Sequence, residues 1–351
     1  MPPRRNPDAL TRELREYAHS RGVDLVGCTS PAPFVVGDAA EEVSPEKMMP
    51  GVRSIVVAAC HTYGADSYRP SRSGVPRGRL GPWTRVSVPA YGHIAHVISE
   101  FLTGRGYRAA AGHDLPLKAT AVRAGIACYG KNSIVHADGA GSYLELMAVL
   151  TDADLTCTDR PVHTSDCPDG CQACMDACPT GALAEPFRLT HEQCVSHYLW
   201  GAPIPREHRE KVGDLIFRCG VCQQACPRNQ GLRPRAQFPF SLQSGDDSPT
   251  LIPLLLGDEA YYQQAIPEFV RQAGPDTIRR NAAIAAGNVG DPAAVPALTE
   301  CFGVPHALTR VAAAWALGRL GGAEATRTLG ALLRREENGE VREEAERALG
   351  Q

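Results

Sequence analysis

The stretch CPDGCQACMDACPTGAL, running from Cys167 to Leu183, decides how the rest of the chain is read. It sets four cysteines in the pattern Cys167-x3-Cys171-x2-Cys174-x3-Cys178, and a proline follows the last. A second run, FRCGVCQQACPRN, gives Cys219-x2-Cys222-x3-Cys226-Pro, and a single Cys194 stands between the runs in HEQCVSHY. Closely spaced cysteines wrap corners of a 4Fe–4S cube, and the fourth ligand comes from a distant cysteine followed by proline. The eight cysteines suffice for two such clusters with none left over. Zinc is the competing reading, because paired C-x2-C units also hold tetrahedral zinc. Zinc ribbons, however, need neither a third cysteine in each run nor a proline after both. One spacing is unusual: three residues, not two, separate Cys167 from Cys171. Gly170 is the residue that can turn the chain tightly enough to absorb the extra one.

The remaining composition bounds the setting. A chain of 351 residues is too long for one small core and suggests about two or three domains. With 43% hydrophobic and 21% charged residues it has the make-up of a soluble globular protein. No apolar run reaches the roughly 18 residues of a membrane span. The first residues, MPPRRNPDALTRELREYAHSRG, contain no apolar core of a secretory signal, so the cytoplasm is expected. Thirteen cysteines, an odd number, in such a chain argue against a disulfide framework. Five of them (Cys28, Cys60, Cys128, Cys157 and Cys301) are scattered and read as plain core residues. The net charge of −3 argues against a protein held to nucleic acid by charge alone. Arginines nevertheless gather at Arg4 and Arg5, from Arg69 to Arg85 and from Arg206 to Arg235, which leaves room for a local basic patch.

Three regions follow from the patterning. Residues 1–155 alternate helices and strands and read as an α/β (α+β) layer domain. Residues 8–22 are amphipathic, 23–30 read as a strand, and IVVAAC within 53–64 is a continuous apolar run suited to a buried strand. Residues 66–89 read as a loop, 89–107 as a helix, and 118–155 as a helix, a glycine turn and two strands. Residues 156–245 form a small ferredoxin-like double-cluster domain that needs metal to stay folded. Residues 246–351 repeat with a period of about 31 residues, as expected of HEAT-like helical repeats that dock on the preceding domains. In that register Arg279 to Gly287 matches Arg310 to Gly318.

With these residues in view, the chain resembles the epoxyqueuosine reductases, cobalamin-dependent iron–sulfur enzymes that act late in making the modified tRNA base queuosine. The resemblance is carried by DLVGCTS, RSIVVAA, VRAGIACYGKNSI, GSYLELMAVLTD, CQACMDACPTGAL, Cys194 and CGVCQQACPRN. It implies that Cys167, Cys171, Cys174 and Cys226 hold one cluster and that Cys178, Cys194, Cys219 and Cys222 hold the other. It implies a corrinoid-type N-terminal domain with cobalamin near the Gly-Lys turn at Tyr129–Asn132. Lys118, Gly130, Lys131 and Asn132 are then cofactor-binding residues, and Asp114 and Tyr129 are the acids that supply protons. It further implies tRNA lying across the domains; a one-electron donor of ferredoxin or flavodoxin type, no membrane partner and a monomer are also expected. No D-x-H-x-x-G segment offers a lower histidine ligand to cobalt, in keeping with the family.

The chain departs from the family in three places. Asp114, in GHDLPLKATAVRAG, is out of register with the family's carboxylate. Cys128 stands where tryptophan is usual, and RVSVPAYGHIAHV lacks the family's pattern of tyrosines, aspartate and histidine. These departures suit a divergent branch. A paralogue acting on another substrate, or a double-cluster electron carrier without corrinoid, are the alternatives. The carrier reading has to account for an α/β domain far larger than electron transfer needs.

Overall fold

The computed structural model describes residues 6–36, 41–162 and 165–350; Arg4 and Arg5 lie outside them. The apolar run of the central strand, Ser54–His61, is buried along nearly its whole length because both of its faces are covered. It pairs antiparallel with Leu25–Thr29 on one side and Leu144–Thr151 on the other, and Ala109–Ala111 completes a four-stranded sheet. Alternate side chains serve different layers. Val56, Ala58, Cys60, Met147 and Val149 meet the helices Pro7–Ser20 and Ser87–Thr103 through Leu10, Leu14, Ile94 and Phe101. Ile55, Val57, Ala59, Leu146 and Leu150 meet the helix Leu117–Arg123 through Ala121 and Val122. Helices on both faces make a three-layer domain, as the alternating pattern suggests, but every pairing in its sheet is antiparallel.

The segment read as a long loop is stitched into the rest of the molecule. Arg79–Leu80 pairs parallel with Leu215–Phe217. The backbone N–H groups of Gly78 and Leu80 donate to Pro249 O and Asp247 O at 3.0 and 2.9 Å. A buried backbone needs such partners wherever it runs.

The C-terminal repeats share one core with the segment that carries Cys194 and Cys219. Leu80, Val195, Leu199, Ile216 and Phe217 belong to the same apolar cluster as Ile278, Ala285, Trp315 and Val341. The repeat register explains its glycines. A Cβ on Gly287 would lie 2.9 Å from Ala316 Cα, and one on Gly318 would lie 2.9 Å from Ala348 Cα. Equivalent positions of successive repeats thus let successive helices approach closely. Among the described residues, no helix is long and apolar enough to cross a membrane.

Candidate iron–sulfur centre and adjoining cleft

The extra residue between Cys167 and Cys171 is absorbed by a turn. Gly170 has φ +70°, and Cys171 N–H donates to Pro168 O at 3.1 Å. Short helical turns, Ala173–Asp176 and Val221–Gln224, then carry Cys174 and Cys222. All thirteen cysteines are free thiols. The eight in the two runs and between them form two groups. Cys174 lies in electrostatic reach of Cys226, Cys167 and Cys171. Cys222 lies in reach of Cys219, Cys194 and Cys178. It also reaches Cys174, so the groups are neighbours.

Burial, and then the neighbouring sulfurs, push Cys222 up to about 12. Cys174, Cys219 and Cys226 are raised for the same reasons. So many buried neighbouring sulfurs would ionise together only beside cations, which iron would supply. Among the described residues no three Cys, His, Asp or Glu side chains converge on a single metal ion. Two neighbouring groups of four cysteine sulfurs are a donor set that fits two iron–sulfur clusters.

One group opens onto a cleft of about 640 Å³. Cys178, Cys194, Cys219 and Cys222 all line it, opposite Lys118, Asn132 and Ser133 of the sheet domain. Its volume lies within the range of cofactor sites. Trp83, Ser133 and Arg218 also line it, and all three have left-handed backbones, with φ of +69°, +61° and +55°. Strain of this kind gathers where a structure is shaped for a ligand. Trp83 Nε1 and Ser133 Oγ are buried with no partner. Both belong to residues that line the cleft, and such unpaired buried atoms gather where a structure is shaped for function rather than for stability. Lys118 is an exposed residue whose ammonium donates to Ser133 O at 2.9 Å, and desolvation lowers its pKa. Arg218 is held from behind: Nη1 donates to Ser87 Oγ at 3.3 Å, and Ser87 is bonded to the fully buried Glu145.

Two stretches match known families: residues 167–229 match the 4Fe-4S double cluster binding domain, and residues 264–350 match HEAT repeats. Epoxyqueuosine reductase of Bacillus subtilis (strain 168) is 28% identical over 97% of this chain and 95% of its own length. That of Pseudomonas aeruginosa is 35% identical over 58% of this chain and 57% of its own. A crystal structure of epoxyqueuosine reductase with an epoxyqueuosine-modified tRNA-Tyr stem loop superposes with a TM-score of 0.85 at 27% identity, covering 97% of this chain and 98% of that one. The chain is similar to epoxyqueuosine reductases along nearly its whole length.

Within this epoxyqueuosine reductase fold the expected site residues separate. Lys118 and Asn132 line the cleft. Gly130 has no room for a side chain, since a Cβ would meet Ile134 O at 3.1 Å. Lys131 turns away from the cleft: its ammonium donates to Cys171 O at 2.8 Å. Tyr129 packs half-buried on the core beneath the sheet, and its carbonyl accepts from Ser165 Oγ at 2.7 Å. Asp114 is exposed on the loop that leads into the helix carrying Lys118. Trp83, Ser133 and Arg218 escaped the sequence reading. The glycine turn brought Ser133's neighbours to notice, but nothing in the sequence distinguishes Trp83 or Arg218.

Proposed function

We propose that this protein is an iron–sulfur reductase of queuosine tRNA modification that removes the epoxide oxygen of epoxyqueuosine, with cobalamin in the cleft. The observation that carries this reading is that one complete group of four thiols forms a wall of the cleft. We assign one 4Fe–4S cluster to Cys167, Cys171, Cys174 and Cys226, and the other to Cys178, Cys194, Cys219 and Cys222. The second is the inner cluster, beside the cleft; the first is the outer one, reduced by a one-electron donor of ferredoxin or flavodoxin type.

Loss of an epoxide oxygen as water consumes two electrons and two protons. Cobalamin, when bound, would supply low-valent cobalt as nucleophile and reductant. The protein's residues would hold and orient it. Asn132 and Lys118 would be the donors that face it, and Trp83 and Trp200 the apolar surfaces. No carboxylate stands among the residues lining the cleft. We assign proton supply to Asp114, on the loop four residues ahead of Lys118. The tRNA-bound relative supports tRNA as the carrier of the substrate, and a monomer in the cytoplasm suits the reading.

The test is anaerobic. About eight irons per chain, a cobalt(II) EPR signal retained after desalting, and conversion of epoxyqueuosine to queuosine in tRNA are expected. Retained cobalamin with inert epoxyqueuosine tRNA would favour the paralogue. Eight irons without retained cobalamin would leave an electron carrier.

A further inference from the structure

The hairpin that carries the glycine turn has two working faces. Asn132 and Ser133 look into the cleft, while Lys131 looks the other way, onto the loop of Cys167 and Cys171. The backbone N–H of Lys131 donates to Cys167 Sγ at 3.4 Å. Its ammonium donates to Cys171 O at 2.8 Å. The attachment is built in from several sides. Ser165 Oγ donates to Tyr129 O at 2.7 Å and accepts from Cys167 N–H at 3.4 Å. Phe187 N–H donates to Lys131 O at 2.8 Å.

The charges around this loop are not equivalent. Arg228 is paired with Asp166 at 2.7 Å and lies 3.5 Å from Asp138. His136 is bonded to Asp166. Among the described residues, Lys131 makes no ion pair; its partner is a carbonyl. It is therefore a cation beside the thiol loop that, among the described residues, no carboxylate meets at ion-pair distance.

A cluster becomes more negative when reduced, so an adjacent cation and an N–H···S bond stabilise the reduced form and raise the potential. We infer that Lys131 is a potential-setting residue for the cluster of Cys167, Cys171, Cys174 and Cys226, holding its potential up so that the external donor reduces this cluster first. The inference rests on the two-cluster part of the reading above and is independent of cobalamin. Lys131 touches ligand residues and not the substrate; it acts through the cluster.

The experiment uses the full chain, loaded with iron and sulfide and without added corrinoid, titrated potentiometrically with EPR of the reduced clusters. Lys131→Gln removes the charge but keeps a donor for Cys171 O; Lys131→Met removes both; Lys131→Arg keeps the charge. The expected result is that one wave moves to more negative potential in the Gln and Met variants, while the other wave stays and the Arg variant is like wild type. The shift should persist when Cys194→Ser strips the inner cluster. Wild-type potentials in the Gln variant would overturn the inference and leave Lys131 as a prop for the loop, as would a shift confined to the inner cluster. Should the Met variant fail to hold iron, the Gln variant decides alone. Fewer than about eight irons in the wild type would instead sink the two-cluster reading itself.

Discussion

Asp66 shows how a single side chain near the cleft carries the cost of its shape. It is half-buried and accepts from the backbone N–H of Trp83. Burial, and then the neighbouring Asp247 carboxylate, push its pKa up to about 6. The folded state therefore binds this proton more tightly than the unfolded chain, whose aspartates titrate near pH ~3.9. Stability from the group is fully present below that value and is lost as pH rises through about 6. Asp66→Asn should leave stability unchanged at pH 4 and gain on wild type up to pH 6, by at most about 3 kcal/mol. Denaturant midpoints of the two proteins measured across that range check it; parallel curves would show that Asp66 has an ordinary carboxyl.

At the scale of elements, the helix Pro275–Val289 reads as a repeat helix and works as a clamp. Asn281 Nδ2 donates to Leu199 O and Ile216 O, each at 2.8 Å. Arg280 donates to Ala202 O and Tyr198 O, each at 2.7 Å, and burial lowers its pKa to about 10. Asn288 reaches Arg209 O and Gly213 O at 2.8 and 2.9 Å. Helix ends and turns leave carbonyls unpaired, and here a neighbouring helix satisfies them. Asn281→Leu strands two buried carbonyls and should cost about 2–5 kcal/mol. Because the helix Val195–Leu199 follows Cys194 directly, iron at the inner cluster should loosen too. A midpoint within experimental error of wild type, with full iron, would rule the clamp out.

For the whole molecule, the shared core makes the repeats part of the redox body. Phe217, Leu199 and Ile216 are fully buried, and they lie in one cluster with the repeat helices. A chain ending at residue 245 exposes them. It should aggregate or keep about four irons rather than about eight, since four per cluster is the load. Size-exclusion chromatography with iron analysis reads this directly, and a monodisperse product with full iron would make the repeats a detachable appendage.

How much of this was legible in the sequence follows from the range of the interactions. Metal ligation is local: the spacing of Cys167, Cys171, Cys174 and Cys178, and of Cys219, Cys222 and Cys226, speaks for itself because a cluster accepts few spacings. Burial is periodic, so the sheet strands and the repeat register of Gly287 and Gly318 could be read off. The cleft is neither local nor periodic. Trp83, Ser133 and Arg218 come from three distant segments and meet only because the loop before Ser87, the glycine turn and the strand Leu215–Phe217 dock on one another. The same docking decided that Lys131 and Asn132, adjacent in sequence, point different ways, Lys131 to the carbonyl of Cys171 and Asn132 to the cleft. A turn has no repeating geometry from which a side chain's direction can be read; what packs on each face sets it.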